Sequence, residues 1–304
     1  MNRIYKELKQ NKGTYILAVP GLLFFAVFSY YPLIWLQIAF KDFNIQDGIW
    51  NSPWSGLDNF LFFFKSHFFV RVTVNTLVIN LLNIVVGTIC AVGLAILLNE
   101  LRNNFAKKIY QSAMFLPYFL SWVVIGAFLY NLLGESYGVV NTILKSLNID
   151  PVSWYSNSGY WRPILVVVNT WQSVGYNTII YLAAITAIDA ELYEGAVIDG
   201  ANRFQQIRSM TIPLLFPTII VLTLIAIGRI FYGNFGMIYA LVGDNGLLYE
   251  TTDVIDTYVY RSMRSNGTYG MATAVTLYQS VIGFIVVMLA NKAAKKYDKD
   301  TALF

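Results

Sequence analysis

The sequence predicts an all-α membrane protein with six membrane-spanning helices, and two observations support this fold class. The chain has 304 residues, of which 57% are hydrophobic and only 12% are charged, whereas about a quarter of the residues in soluble domains are charged. Six windows contain no Asp, Glu, Lys or Arg, and each reaches the ~20 residues that cross a ~30 Å hydrocarbon core. They are 13–40, 72–99, 109–134, 163–188, 209–228 and 265–291.

These windows indicate a single transmembrane domain over residues 1–304. We expect spans at about 13–40, 72–98, 110–133, 163–187, 212–232 and 268–291, with a polar loop at 189–213. A cleavable signal peptide is the alternative for the first window. Its apolar stretch exceeds the roughly 7–15 residues of a signal core, and no small-x-small cleavage site is evident before Tyr30. We therefore expect the first span to remain as an anchor.

The distribution of Lys and Arg predicts that both termini are cytoplasmic. With that orientation, the inside segments 1–12, 99–108, 189–208 and 292–304 carry four, three, two and four cationic residues, and the outer loops together carry seven. The positive-inside rule favours this arrangement. The net charge of +4 suits an anionic inner leaflet and gives no indication of nucleic-acid binding. The lone cysteine, Cys90, has no partner for an internal disulfide.

Several kinds of chemistry lack the residues that they require. No Gly-Lys dipeptide occurs, so the chain has no phosphate-binding loop of the Walker A type. One His, one Cys and no His-Glu-x-x-His motif exclude a zinc site or a Cys–His nucleophile built from this chain. We predict neither a catalytic residue nor a bound metal or cofactor, so any energy that the protein uses must come from elsewhere.

The loop at 189–213 interrupts two apolar windows with a polar, helix-prone sequence. Asp189 is a candidate N-cap, Asp199-Gly200 offers a turn, and Asn202 with Gln205 matches a capping box for a second short helix. Read as helix, the loop places apolar residues on one face: Tyr193, Val197, Ala201, Phe204 and Ile207. Two interpretations fit this pattern, a docking surface for another protein and a connector that lies on the membrane.

The residue pattern of this loop favours docking. Glu194-Gly195-Ala196, then Gly200, then Met210-x-Ile212-Pro213 resembles the EAA loop of ATP-binding cassette importer permeases, E-A-A-x3-G-x9-I-x-L-P. Gly195, Met210 and Ile212 depart from it. Further segments are similar to the maltose-type carbohydrate-uptake permeases, in particular those for complex oligo- or polysaccharides: Pro20-Gly21-x-x-Phe24-Phe25, Pro53-Trp54-x-Gly56-Leu57-x-Asn59-Phe60, Phe115 to Trp122, Gly228 to Tyr232, Thr251 to Arg261, and Tyr278 to Ser280.

This resemblance implies the type I importer permease fold in a bacterial cell membrane, with cytoplasmic EAA coupling helices. It also implies four kinds of partner: a second related permease, a cytoplasmic ATPase dimer that binds ATP and Mg²⁺, an extracytoplasmic solute-binding protein and a carbohydrate substrate. The residues that would contact the ATPase are Glu194, Gly195, Ala196, Asp199, Gly200, Ala201, Phe204 and Pro213. The resemblance implies that Gly200 permits the turn between the two helices. Asn234 stands where members of that family often carry Asp.

Uncharged polar side chains within the spans are candidates for the substrate path. Asn169, Gln172 and Tyr176 lie at i, i+3 and i+7 on span four, and the other candidates are Asn83, Trp122, Tyr278 and Gln279. Sugars are bound by aromatic faces and by amide or hydroxyl hydrogen bonds. The alternative for each amide is a helix–helix hydrogen bond, the usual use of such groups in lipid.

Arg229 lies at the end of span five. It can extend to the interface, face a polar cavity, or pair with Asp244 or Asp253; we predict a structural or gating ion pair. A stand-alone secondary carrier or channel for small polar solutes remains the alternative function. An intramembrane enzyme lacks a suitable constellation of residues.

Overall fold

A computed structural model describes residues 10–297, and this part of the chain is helical, with one isolated antiparallel bridge between Lys41 and Trp54 and no other strand pairing. The terminal segments 1–9 and 298–304, on which part of the predicted positive charge lies, fall outside the described residues. The α-helices are α1 Lys12–Phe25, α2 Gly48–Asn51, α3 Asp58–Lys65, α4 His67–Asn99, α5 Asn104–Phe115, α6 Trp122–Leu133, α7 Val139–Ser146, α8 Trp161–Thr186, α9 Ala190–Ile198, α10 Arg203–Gln206, α11 Ile212–Ile227, α12 Phe235–Val242, α13 Tyr249–Thr252, α14 Ile255–Asn266 and α15 Tyr269–Tyr297.

Four stretches are long and apolar enough to cross a membrane: Lys12–Phe40, His67–Asn99, Arg203–Ile227 and Tyr269–Lys296. The first continues α1 through a π segment, Ala26–Tyr30, and a 3₁₀ segment, Tyr31–Phe40. A fifth is formed if the bent pair Asn104–Phe119 and Trp122–Leu133 counts as one span. Helix α8 has the length of a span, 26 residues, but its amides lower its hydropathy. The expected count of six thus remains a prediction.

The third predicted span, 110–133, is broken rather than continuous. Its two halves meet at an angle of 97°. Pro117 lies in the 3₁₀ segment Leu116–Phe119 that ends the first half, and Ser121 begins the second half as its N-cap, accepting a hydrogen bond from the Val124 amide. A proline has no N–H for the helical ladder, which explains why the helix stops here.

The described residues divide into two compact units, one made of the residues up to 66 with 261–278, and the other of 67–260 with the residues from 279 onward. In the first unit, the buried Lys41 amine donates to the carbonyl of Ile49 at 2.5 Å and lies 4.9 Å from the Trp54 ring centroid. Asn59 donates its amide to the carbonyls of Ala39 and Lys41. These contacts satisfy polar groups that would otherwise be buried without partners.

The second unit is organised around α4 and α8, which pack along each other. Two clusters of buried apolar side chains flank this pair. One contains Ile79, Ile125, Leu129, Trp161, Leu165, Met237, Ile238, Leu241, Val242, Leu248 and Val254. The other contains Ala91, Ala95, Leu98, Tyr181, Leu182, Ile185 and Leu215. Two small residues of α4, Ala91 and Ala95, thus belong to the second cluster, as expected where helices approach closely.

Two glycines permit close helix contacts in this unit. A Cβ on Gly175 of α8 would lie 1.9 Å from the Met114 carbonyl oxygen of α5, and a Cβ on Gly126 of α6 would lie 2.3 Å from the Ala240 carbonyl oxygen of α12. Real Cβ atoms do not approach oxygen so closely, so only glycine permits these two helix pairs their observed separation.

Candidate functional site: the 189–213 loop and the polar faces of the spans

The 189–213 loop forms two short helices, as its capping residues predict. Asp189 caps α9 by accepting a hydrogen bond from the Glu191 amide at 3.0 Å. Gly200 follows α9 with φ +80°, a left-handed conformation in which glycine has no steric penalty. Asn202 and Gln205 form the expected reciprocal capping box on α10. We name residues 189–206 the coupling knob.

The coupling knob presents apolar side chains to its surroundings. Leu192, Val197, Ile198 and Phe204 are 48%, 57%, 86% and 69% exposed, and Glu194 and Asp199 are exposed beside them. An open depression of about 320 Å³ adjoins the turn and is lined by Asp199, Gly200, Ala201, Gln205, Gln206, Ser209 and Met210. Exposed apolar groups flanked by charge are typical of a surface that binds another protein or lies against a membrane.

The predicted coupling residues fall into two groups. Glu194, Gly195, Asp199, Gly200, Phe204 and Pro213 are exposed, whereas Ala196 and Ala201 are half-buried. The apolar face expected from one continuous helix is divided, because the chain turns at Gly200. Val197 and Phe204 point outward, but Tyr193 and Ile207 are partly covered, and the Tyr193 hydroxyl lies 2.9 Å from the Thr211 hydroxyl.

A π segment, Ile207–Thr211, connects the coupling knob to α11. The sequence analysis did not identify it. The available signal was Pro213, which lacks the N–H that would continue an α-helical ladder from the preceding turn. Single π turns within helices are uncommon and concentrate at functional sites.

On α8, two of the three predicted substrate-path residues, Tyr176 and Gln172, contact Tyr118. The Tyr176 ring stacks on Tyr118 with centroids 4.8 Å apart and planes at 12°. Phe115 continues the stack, at 5.7 Å from Tyr118 and 6.3 Å from Tyr176. The Gln172 amide donates to the Tyr118 carbonyl at 3.3 Å. Tyr118, which lies at the break in the third span, was not among the predicted site residues.

This cluster offers the groups that sugars need. Tyr118 and Tyr176 are 41% and 43% exposed, and Asn169 and Gln172 are half-buried on the same helix as Tyr176. Flat aromatic faces and amides at the edge of a helix suit a ligand that presents both C–H surfaces and hydroxyl groups.

The other predicted substrate-path residues are differently placed. Trp122 packs against the first apolar cluster. Tyr278 contacts Phe63 and Phe64 at 5.8 and 5.3 Å between ring centroids. Gln279 is only 2% exposed, and its amide donates to the Phe231 carbonyl at 2.6 Å and the Asp256 carboxylate at 3.2 Å. Asn83 has a buried Oδ1 that accepts no hydrogen bond within the described chain.

Gln279 belongs to a set of side chains that hold the turn after α11. The Asn80 amide donates to the carbonyls of Ile230 and Tyr232 at 2.8 and 2.9 Å. The Asp256 carboxylate accepts from the Gly233 amide at 2.5 Å. Burial raises the pKa of the Asp256 carboxyl above its ordinary value, and the hydrogen bonds from Gly233 and Gln279 oppose that shift.

Arg229 lies in this turn and is exposed. Within residues 10–297 it forms no ion pair, and the carboxylates that we expected to pair with it have other partners. Asp253 pairs with Arg71 at 2.9 Å, and Asp244 accepts a hydrogen bond from the Tyr249 hydroxyl. The predicted pairing of Arg229 with either carboxylate is therefore not formed, because Arg71 of α4 occupies the buried Asp253.

The Arg71–Asp253 pair is part of a polar network that the sequence did not reveal. The Asn75 amide donates to the carbonyls of Glu250 and Asp253, both at 3.1 Å, and its Oδ1 accepts from Arg162 at 2.7 Å. Asn75 is 1% exposed. The network fastens the segment before α14 to α4 and α8, and it leaves Asn75 no free group for a substrate.

Among the described residues, no group of three or more His, Cys, Asp or Glu side chains is placed to hold a metal ion.

Comparison with known proteins identifies the family. Residues 83–299 match the model of the binding-protein-dependent transport system inner membrane component family. The chain is 37% identical to protein LplB of Bacillus subtilis, over 96% of this chain and 92% of LplB. It is 35% identical to the polygalacturonan/rhamnogalacturonan transport system permease protein YteP of the same organism, over 98% of this chain and 92% of YteP.

A solved structure shows the same fold. It is that of a bacterial alginate ABC transporter in complex with an alginate pentasaccharide-bound periplasmic protein, and one of its chains is 34% identical to this chain, with a TM-score of 0.89 over 98% of this chain and 99% of that chain. The family match covers well over half of the sequence, and both relatives align along nearly their whole length. This chain therefore belongs to the family of inner membrane components of binding-protein-dependent transport systems and is a permease subunit of an ABC importer.

Proposed function

We propose that this chain forms half of the translocation pore of an ATP-driven importer for carbohydrate, with oligosaccharides or fragments of polysaccharides as substrates. The coupling knob carries this proposal, because it combines the gapped EAA pattern with an exposed apolar surface and a glycine turn at φ +80°. The substrate class is supported by two similar proteins, a permease of a polygalacturonan/rhamnogalacturonan transport system and a chain of an alginate transporter. A second related permease would form the other half of the pore.

In this proposal, a cytoplasmic ATPase dimer docks on the coupling knob and binds the ATP and Mg²⁺. The apolar side chains of Leu192, Val197, Ile198 and Phe204 would lose their exposed surface in the contact, and Glu194 would meet a basic group of the ATPase. Burying such a cluster is worth about 25 cal/mol per Å² of apolar surface before the costs of association. The orientation this requires, with both termini and the knob in the cytoplasm, agrees with the excess of Lys and Arg in the inside segments.

On the opposite side of the membrane, a solute-binding protein would deliver the carbohydrate to the pore. Within the pore, the stacked Tyr118 and Tyr176 with Asn169 and Gln172 are the candidate contacts. Gln279 and Trp122 are less suited, since Gln279 is committed to Phe231 and Asp256 and Trp122 packs on the apolar cluster. Arg229, exposed in the turn after α11, remains a candidate for gating.

Co-purification tests the docking step. This chain is captured from the membranes of the cells that normally produce it, and its bound partners are purified with it. ATP hydrolysis by the purified complex is then measured. Glu194→Lys and Gly200→Val should each remove most of the hydrolysis and the associated ATPase, because the first reverses a charge in the contact and the second distorts the turn. Lys145→Glu in α7 alters a charge remote from the knob in sequence and serves as the control. Retention of full ATPase association in both knob variants would contradict the proposal.

Reconstitution distinguishes the alternative function. A stand-alone carrier or channel would move small polar solutes when only this chain is present in the vesicle membrane. The proposed importer would be inactive under those conditions and would require the ATPase, the second permease and ATP. Uptake by the purified chain alone would establish the alternative.

A further inference from the structure

The helix that runs from the coupling knob into span five, Arg203–Ile227, changes from α- to π-helical hydrogen bonding at Ile207–Thr211. In the π segment Ile207–Thr211, the backbone N–H of Ile212 bonds to the Ile207 carbonyl, five residues back. Pro213 and Pro217 then contribute no N–H to the ladder of α11. Missing ladder bonds and π turns are the usual origin of helix bends. The backbone alone would therefore allow the knob to move without turning the span.

The coupling knob itself is well braced. The Gly200 amide bonds to the Val197 carbonyl at 3.0 Å, and the Ala201 amide bonds to the Ala196 carbonyl at 2.9 Å, which closes the turn. The Gln206 side chain, 3% exposed, donates to the Ala201 carbonyl at 2.9 Å. With the capping box on α10, these bonds tie α9, the turn and α10 together, so the knob is expected to move as one body.

One side-chain hydrogen bond joins α9 to the end of the π segment. The hydroxyl of Tyr193, in the middle of α9, lies 2.9 Å from the hydroxyl of Thr211, the last residue of the π segment. Thr211 is only 4% exposed and Tyr193 is half-buried, so water competes poorly for this bond. Among residues 10–297 it is the single side-chain hydrogen bond between α9 and the π segment.

A second polar contact does not replace it. Arg203 Nε lies 4.0 Å from a Glu100 carboxylate oxygen, and the two side chains are 66% and 38% exposed. Exposed ion pairs at this distance contribute little and are weakened by salt. The Arg203–Glu100 pair also connects the knob to the segment after α4 rather than to α11.

We propose that Tyr193 and Thr211 are positioning residues that join the coupling knob to span five, so that displacement of the knob turns α11 instead of bending the π segment. The inference rests on the proposed function, since the displacement is supplied by the docked ATPase. The hydroxyl pair thus supplies the stiffness that is missing from the backbone at the π segment and the two prolines after it. Neither residue lies on the exposed surface of the knob through which the ATPase would bind.

Distance measurement between two spin labels tests the joint directly. Cysteines are introduced at Glu191, which is exposed near the start of α9 and is not among the proposed ATPase contacts, and at Ile225, 54% exposed on α11, after the native Cys90 is replaced by Ala. The chain is measured alone in lipid nanodiscs and in the complete complex, with and without ATP and vanadate. We expect a single narrow distance distribution in all four samples, because the knob and span move together.

Removal of either hydroxyl should disrupt this result. Tyr193→Phe and Thr211→Val are expected to lose the single narrow distribution, both in nanodiscs and in the nucleotide-bound complex, while the ATPase still co-purifies and still hydrolyses ATP. Thr211→Ser keeps a hydroxyl and should restore the wild-type distribution. Thr186→Val is the matched control, since the Thr186 hydroxyl bonds only to the Ala183 carbonyl of its own helix.

The outcomes separate the two proposals. If Tyr193→Phe and Thr211→Val keep the narrow wild-type distribution in every sample, the hydroxyl pair does not stiffen the joint and the inference is wrong. If the wild-type chain recruits no ATPase, the proposed function fails, and with it the role of the joint in coupling. The nanodisc samples would then still report whether the hydrogen bond braces the segment.

Discussion

At the scale of single residues, side-chain volume and ionisation at a few buried positions set what this chain tolerates. Gly175 and Gly126 stand where a neighbouring helix backbone leaves no room for a Cβ, whereas Gly93 has no atom within 4 Å of the same position. The Asp256 carboxyl is largely buried, and its burial raises its pKa. Both features lead to predictions for the stability of the protein.

Gly175→Ala should destabilise the protein by about 1–3 kcal/mol, because α8 and α5 must separate to admit the added methyl group. The measurement is the free energy of unfolding of the detergent-solubilised chain by denaturant titration. Gly93→Ala is the control; it should leave that free energy unchanged or raise it by up to ~1 kcal/mol through helix propensity. Equal effects of the two substitutions would show that the close contact at Met114 is not formed.

Asp256→Asn should reduce the dependence of stability on pH. Because the pKa of Asp256 is raised in the folded state, the folded chain holds this proton more tightly than the unfolded chain does. The stabilising contribution is complete below the unfolded pKa near 3.8 and is lost as pH rises through the raised folded value. Thermal unfolding midpoints across this range should therefore fall less with rising pH in the variant than in the wild type.

At the scale of elements, the main feature is irregular backbone next to the predicted spans. The turn after α11 exposes the carbonyls of Ile230, Phe231 and Tyr232, and amides from Asn80 and Gln279 satisfy them. Non-helical backbone at membrane depth is tolerated only where protein or water supplies such partners. These amides are therefore structural, although a sequence analysis groups Gln279 with the candidate sugar contacts.

Asn80→Ala should lower the free energy of unfolding by about 1–3 kcal/mol, because the partly buried carbonyl of Ile230 is left without a donor. The readout is denaturant unfolding of the solubilised chain. Asn131→Ala provides the matched control, since the Asn131 amide is exposed and bonds to Ala127 in its own helix. An Asn80 effect no larger than the Asn131 effect would mean that water replaces the amide in the turn.

Also at this scale, the aromatic stack between α8 and the 3₁₀ segment Leu116–Phe119 leads to a prediction for transport. Tyr176→Ala removes one face of the stacked pair and, in the complete importer, should raise the substrate concentration needed for half-maximal uptake about tenfold, since stacking is worth ~1 kcal/mol or more. Tyr130→Ala, which alters a tyrosine outside this stack, is the comparison. Identical uptake curves would exclude the stack from the pore.

At the scale of the whole molecule, topology decides whether the coupling knob meets a cytoplasmic partner. In a chain whose Cys90 is replaced by Ala, a cysteine at Glu191, exposed near the start of α9, should react with a membrane-impermeant thiol reagent only after the cells are opened. A cysteine at Tyr137, 94% exposed before α7, should react in intact cells. The excess of Lys and Arg in the inside segments predicts this pattern. Labelling of Glu191→Cys in intact cells would show that the orientation is the reverse of the predicted one and would remove the basis for ATPase docking.

The sequence alone determined the helical membrane class and the form of the coupling knob. Charge-free windows, the Asp189 cap, the Asn202–Gln205 capping box and the Gly200 turn are local features, and residues three or four apart in a helix are neighbours whatever the rest of the chain does. The family resemblance followed from the same fixed spacing. These predictions needed no knowledge of distant contacts.

Tertiary structure alone decided which polar side chains are available and how the spans are joined. Gln279 reaches Phe231 across 48 positions, and Arg71 reaches Asp253 across 182, so neither commitment follows from one-dimensional spacing. The Tyr193–Thr211 bond and the 97° angle between the halves of the third span likewise depend on packing, whereas the position of the break follows from Pro117. The physical reason is that a buried amide or carboxylate must find a partner wherever the fold brings one within about 3 Å, and that position is set by the whole chain.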